Sequence, residues 1–317
     1  MKVLICHRPG GAFGYITDGW LNALRDRGHN VRRWDGAENT WREFQPELYI
    51  GCSGHKQPIP AKRNTKVAIH VNPYGPVDIP GILETPQNID WVKKQKPDTV
   101  FGYGHEEDRI MWSHWRKKAG IPWVPMPTAG DRILFNMTRD LDDRPLDVVY
   151  LGGRWPYKAQ TIDTFLLPML QHGRLNFKVH GWGDWPAKIC SGILPADQPC
   201  QLLNQGKIGP CISEKHTQQY GIDIPERAFK VALCGALVIH DAVPSVRRMI
   251  PSAVIARNSQ EFTEKCIELS KNDVQRKKLV ERQRSEVLAS ETYHHRMRTL
   301  MAATGFTAEA EAMIDAN

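Results

Sequence analysis

Arg154 and Lys158 stand four residues apart in the run Leu151-Gly152-Gly153-Arg154-Trp155-Pro156-Tyr157-Lys158, between a strand-like stretch and a helix-like one. Two cations at such a turn suit a diphosphate, with the guanidinium binding through two N–H groups and the ammonium acting as a point charge. Downstream, Gly221 to Arg227, which includes Ile224, Glu226 and Arg227, leads through Lys230 into a helix stopped by Gly235. A helix N-terminus there can hold phosphate, and the tight helix-Gly-strand transition fixes its direction. A third candidate, Gly10-Gly11 within His7 to Gly14, lets backbone N–H groups approach an anion while Arg8 adds a charge. Its spacing is not that of a dinucleotide fingerprint, and a tight structural turn explains the pair of glycines about as well.

Acid–base candidates fall at other strand ends. His70 and His105 each follow a strand-like run, the position where open α/β sheets bind ligands. A single histidine is more often packed or solvent-exposed than functional, and two at equivalent strand ends raise the chance of a site role for each without making it the favoured reading. Asp18, beside the Gly-Gly loop, is a candidate base, although a place in the first helical turn favours capping.

The elements that must position these residues alternate. Lys2–Cys6, Asn30–Trp34, Glu47–Ile50, Val67–His70 and Thr99–Phe101 read as strands, with helices over Thr17–Arg27 and Glu106–Ala119. Pro122 to Pro127 reads as a proline-dense turn and Asp140 to Arg144 as a charged linker. Alternation restarts with the strand Asp147–Leu151, the helix Thr161–His172 and the strand Asn176–Val179. The stretch 182–221 reads as loop, then a helix over Pro225–Cys234, a strand over Ala236–His240, and helices over Glu261–Ser270 and Asp273–Thr299. Strand, glycine loop and helix in repeated order predict parallel sheets with right-handed crossovers. The expected division is an N-terminal Rossmann-like domain over 1–140, a second over 146–285, and a C-terminal helix over 286–317 that packs back toward the first.

Composition bounds the class. At 317 residues, 41% hydrophobic and 24% charged, the chain is globular and long enough for two domains. No apolar run approaches the roughly 20 residues of a membrane span, and Met1-Lys2 opens straight into a strand, so a cytoplasmic protein is expected. The seven cysteines include no Cys-x-x-Cys and are expected to be reduced. A net charge of +7 points to an anionic partner, and the cations gather in knots at 32–33, 62–63, 93–94, 116–118, 247–248 and 276–278. Ten tryptophans, among them Trp112, Trp115 and Trp123 beside one knot, either stack on bases or sugars or fill the core.

A family resemblance rests on Glu226 to Lys230 with Cys234 to Asp241, on Thr292 to Met297, on Asp147 to Lys158, and on Lys178 to Gly183. Together with Pro127 to Asp131 and Phe135, these resemble spore-maturation CgeB-like proteins and group 1 glycosyltransferases. The resemblance implies a GT-B fold, two Rossmann-like domains facing across a cleft. It implies a nucleotide-sugar donor, here a UDP-sugar, held by the second domain near Gly181 and Trp182 as well as the cations above. It places His70 near the donor sugar, gives the acceptor to the first domain, and requires neither metal nor other cofactor. The acceptor stays open among a small molecule, a glycan, a protein and a nucleic acid such as hydroxymethylated viral DNA; the chain is expected to be a monomer or a dimer. One departure stands out: where those enzymes carry two glutamates eight residues apart, this chain has Ile222 and Lys230. A lysine cannot accept the ribose hydroxyls, so either Glu226 takes that task or Lys230 itself meets phosphate. A catalytically silent binding relative and a nucleotide-sugar epimerase are the alternative readings.

Overall fold

The structure is a computed structural model that describes residues 1–6, 11–57, 59–60, 64–74, 83–105 and 109–314. The chain forms two compact units, Met1–Ala129 with Tyr293–Asn317, and Gly130–Thr292.

The first unit runs β1 (Lys2–Cys6), α1 (Gly11–Asp26), β2 (Asn30–Trp34), α2 (Glu38–Phe44), β3 (Leu48–Cys52), β4 (Lys66–His70), α3 (Pro86–Gln95), β5 (Thr99–Gly102), α4 (Arg109–Ala119) and β6 (Trp123–Pro125). The strands form one parallel sheet in the order β2-β1-β3-β4-β5-β6. Val3, Leu4, Ile5 and Cys6 are all fully buried, as a parallel strand covered on both faces requires. Two expectations change here. Helices α2 and α3 are short segments with few apolar residues and were not expected, and the proline-dense turn is an edge strand, where Pro125 costs no central ladder bond.

The second unit runs β7 (Leu146–Leu151), then α5 (Pro156–Thr161), a π-helical turn (Ile162–Leu166) and α6 (Leu167–Gln171) in one continuous stretch. It continues with β8 (Phe177–His180), α7 (Pro199–Gln205), β9 (Gly206–Cys211), α8 (Lys215–Tyr220), α9 (Arg227–Leu233), β10 (Leu237–Asp241), α10 (Pro244–Met249), β11 (Val254–Ala256), α11 (Ser259–Lys271) and α12 (Asp273–Ser290). Its parallel sheet has the order β11-β10-β9-β7-β8. The central strand β9 lies in the stretch expected to be loop. Its glycines are packing requirements: a Cβ at Gly206 would come within 2.2 Å of Val149, and one at Gly209 within 2.4 Å of Val231.

The chain then returns to the first unit as α13 (Tyr293–Ala303) and α14 (Thr307–Glu311). The single helix expected over Asp273–Thr299 is therefore broken at Glu291-Thr292. Tyr293 packs where Gly19 of α1 has no side chain, and Arg296 donates to the carbonyls of Pro127 and Thr128.

The charged stretch Asp140 to Arg144 is not a linker, and the units divide at Ala129/Gly130 rather than near 140. Arg144 is buried and donates to the carbonyls of Gly206 (2.9 Å), Cys234 (2.8 Å), Leu203 (3.4 Å) and Arg139 (3.4 Å). Burial lowers its pKa to about 10, which leaves the guanidinium charged at neutral pH.

Gly209→Ala should lower stability by about 1–3 kcal/mol through overpacking. In urea unfolding, the double substitution G209A/V231A should be less unstable than the two single losses summed. Additive losses would mean that the Gly209–Val231 approach is not the constraint.

Candidate donor-phosphate site

In the second unit the chain builds β7, adds β8 on one side, and then places β9 on the other. Such a reversal opens a crevice beyond the carboxyl ends of the two central strands. Six segments supply its residues: the end of β7 (Tyr150 to Gly153), α5 (Lys158), the residues after β9 (Ile212 to Glu214), α8 (Gln218), the end of β10 (His240, Asp241) and the start of α9 (Arg227).

Arg227 is held on three sides. Its guanidinium carbon lies 4.2 Å from the centroid of the Tyr150 ring, its Nε donates to the Leu151 carbonyl, and its Nη2 fills the space a Cβ at Gly152 would need. Its Nη1 is buried with no hydrogen-bond partner among the described residues. Lys158 of α5 is 3% exposed, and among the described residues no hydrogen bond or ion pair reaches its Nζ. Burial, reinforced by the Arg227 charge and opposed by Glu214 and Asp241, brings its pKa down to about 7. The Tyr150 hydroxyl is also buried without a partner, and burial raises its pKa to about 12. Cys211, nearby, is likewise pushed up to about 12 by burial.

The nearby acids are engaged elsewhere. Asp241 accepts from Ser213 N (3.0 Å), Ser213 Oγ (3.0 Å) and Gln218 Nε2 (2.7 Å), and pairs with His240 Nδ1 at 2.7 Å. Burial opposes its charge, but His240, Gln218 and Ser213 outweigh that and hold the carboxyl below its ordinary value. Glu214 lies 3.6 Å from His216, whose pKa burial lowers. What remains is a buried ammonium, a half-buried guanidinium whose Nη1 is buried, and a phenol, with unfilled hydrogen-bonding capacity among the described residues, an arrangement that fits a multiply charged anion.

Arg154 is placed differently from the expectation. Asp163 accepts from its Nε (3.0 Å) and Nη2 (2.7 Å), and Asp184 O accepts from its Nη1 (2.6 Å). It therefore ties the loop after β7 to neighbouring segments, and the structure brings Arg227, not Arg154, into the electrostatic neighbourhood of Lys158. Gly181 is needed for a close crossing, since a Cβ there would meet Gly152 O at 1.9 Å. Trp182 lies against Gly153 and remains 52% exposed, an open aromatic face beside the phosphate loop.

Lys230 pairs with Glu226 at 2.6 Å, both side chains nearly buried, and its Nζ lies 5.0 Å from the Phe135 ring centroid. Ile222 and Ile224 are core residues, and the Ile224 amide donates to Asp223 Oδ1.

In the first unit, His70 is buried among Phe13, Trp20, Phe101 and Tyr103, the last at 4.5 Å between ring centroids, with Nδ1 3.8 Å from Cys52 Sγ. His105 is partly buried just after β5. Asp18 is not in the first turn, because α1 begins at Gly11; it forms an ion pair with Arg33 of β2 rather than a cap. Gly11 opens α1 with φ +64°, whereas Gly10 lies outside the described residues. Trp112 and Trp115 are buried, and Trp123 stacks on Trp112 at 5.1 Å, so all three belong to packing rather than to an open stacking surface.

Residues 160–302 match the glycosyl transferase-like family. No curated protein matches the chain at a significant level. Among solved structures, the chain is similar to T4 phage beta-glucosyltransferase (16% identity, TM-score 0.63, covering 98% of this chain and 100% of that one). It is similar to a sucrose-phosphate synthase from Thermosynechococcus elongatus (10% identity, TM-score 0.62, 95% and 99% covered). It is also similar to TarM from S. aureus (11% identity, TM-score 0.57, 81% and 54% covered). The fold is GT-B.

Sequence reasoning missed Tyr150, Ser213, Gln218 and Asp241 as parts of this GT-B crevice. Only Asp241 carried a signal, as the last residue of an apolar strand. Ser213 and Gln218 were hidden because β9 and α8 fell in the supposed loop. Among the described residues, no group of three or more His, Cys, Asp or Glu side chains could hold a metal ion, and no helix is long and apolar enough to cross a membrane.

The Lys158 pKa has two measurable consequences. Its folded value of about 7 lies below the unfolded 10.5, so the unfolded chain binds more protons between them and stability should rise with pH through that window. A bound diphosphate restores the charge, so UDP binding near pH 8 should take up nearly one proton, about 0.9, from this group. Titration calorimetry in buffers of different ionisation enthalpy measures that uptake. It should disappear in K158M, and equal uptake in both proteins would remove Lys158 from the site.

Proposed function

We propose that the chain transfers a sugar from a UDP-sugar to an acceptor hydroxyl, and that the acceptor is a hydroxymethylated base in a nucleic acid. The observation that carries the donor half is the buried Lys158 with the half-buried Arg227, whose unfilled hydrogen-bonding capacity among the described residues and only partly compensated charge suit a diphosphate. The donor and acceptor classes come from the T4 phage enzyme, a DNA-modifying beta-glucosyltransferase solved with uridine diphosphoglucose. The net charge of +7 is consistent with a polyanionic acceptor.

In the proposed reaction the acceptor oxygen bonds to C1 of the sugar as the bond from C1 to the diphosphate oxygen breaks. Negative charge grows on the departing diphosphate, and Lys158 and Arg227 stabilise that charge more strongly than the ground state. The charge a divalent metal supplies in other sites comes here from side chains, so we propose metal-independent transfer. Arg154 acts indirectly, by fixing the loop that carries Gly152 and Gly153. Trp182 is the candidate to stack on the uracil, and Glu226, paired with Lys230, is the candidate carboxylate to accept from the ribose hydroxyls. On the acceptor side, His70 is the candidate to take the proton of the attacking hydroxyl. His105 and Asp18 are secondary candidates, and the Arg33 ion pair weighs against Asp18 as a base.

Radiolabelled UDP-sugars should label DNA containing hydroxymethylated bases, with no labelling of unmodified DNA and full activity in EDTA. K158A and R227A should each lower kcat/KM by about 10²–10³-fold. UDP binding without transfer to any acceptor would favour a catalytically silent relative, and absence of UDP binding would overturn the proposal.

A further inference from the structure

The basic knots of the sequence meet different fates. Arg33 is paired with Asp18, Arg276 with Asp273, and Lys277 with Asp142, while Arg247 donates to the Pro251 carbonyl. Lys93 and Lys94 at the end of α3, and Arg116, Lys117 and Lys118 at the end of α4, form no ion pair among the described residues. The single acid on α3, Asp90, pairs with none of them, and no acid lies in α4. Cations at helix C-termini complement the helix dipole, which accounts for their presence but not for their convergence.

That convergence is built around Tyr74. Lys93 Nζ lies 5.6 Å and Lys118 Nζ 5.9 Å from its ring centroid, so two helix ends bring like charges to one aromatic ring. The Tyr74 segment is fixed to α4: its carbonyl is 2.5 Å from His114 Nδ1, the Trp115 indole donates to Asn72 O at 2.9 Å, and the Trp115 and His114 rings pack on Tyr74. Lys94, Arg116 and Lys117 are exposed at the same two helix ends, and five cations with no ion pair among the described residues favour a partner that brings regularly spaced anions. Among the described residues, neither helix end carries an exposed large apolar side chain of the kind that anchors a protein in a lipid interface.

We propose that this face, formed by Lys93, Lys94, Arg116, Lys117, Lys118 and Tyr74, binds the phosphodiester backbone of a nucleic acid. The inference rests on the reading of the acceptor as nucleic acid and adds where the first unit grips it. Contacts of this kind are independent of sequence and salt-sensitive, and they hold the polymer at positions remote from the reacting nucleotide.

The test measures binding of a fluorescent DNA duplex of about 20 base pairs to the full chain across a salt series. K93A/K117A/K118A should weaken binding by about 10–100-fold at low salt and lower the slope of log K against log salt by about 2–3, one phosphate contact per lysine. The charge-matched variant R257A/K271A/K278A, altered on the second unit, should change binding far less, and UDP affinity should be unchanged in both. Equal weakening in the two variants, or none in either, overturns the proposal in favour of diffuse attraction by net charge. Failure of the wild-type chain to bind the duplex, or its preference for phosphatidylserine vesicles, also overturns it. Unchanged UDP binding in those cases leaves the nucleotide-sugar reading standing, whereas loss of UDP binding in the wild-type chain would strike that reading instead.

Discussion

The second unit centres on Lys158, buried in α5, and on Arg227 at the start of α9, half-buried with its Nη1 buried. Like charges drawn out of water oppose folding unless the surroundings compensate. Partial compensation is visible: the Tyr150 ring faces the guanidinium, the Leu151 carbonyl accepts from it, and Glu214 and Asp241 lie near enough to favour the ammonium. Asp241 is nevertheless fixed by Ser213, Gln218 and His240, so it cannot close on the lysine as a salt bridge.

Much of the scaffold follows from that arrangement. Gly152 makes room for the guanidinium, Gly181 lets the loop after β8 cross it, and Arg154 pins the β7 loop through Asp163. Gly206 and Gly209 allow β9 to lie between β7 and β10 with its end beside the site. The first unit has a different chemistry: a buried histidine among aromatic rings at the end of β4, and cations at the ends of α3 and α4 that form no ion pair among the described residues.

The parallel α/β architecture was legible because its strands are short apolar runs separated by glycine loops. Strand β9 was not legible, because Gly206, Gly209 and Pro210 carry turn signals locally while packing demands small residues there. Asp140 to Arg144 misled for the opposite reason. Its charges suggest solvent, but Arg144 is buried against four carbonyls supplied by segments distant in sequence. At the site, Lys158 was readable from spacing. The bonds from Arg154 to Asp163 were not, since nothing local to the β7 loop shows that this carboxylate holds the guanidinium. The Lys230 departure became interpretable only when its bond to Glu226 was seen.

The central claim concerns which two cations meet the donor, and a crystal structure of the full chain with UDP tests it most directly. The expected result places diphosphate oxygens within hydrogen-bond distance of Lys158 Nζ and Arg227 Nη1, with the Arg154–Asp163 pair intact. A diphosphate bound by Arg154 after release from Asp163, with Lys158 and Arg227 out of reach, would contradict it.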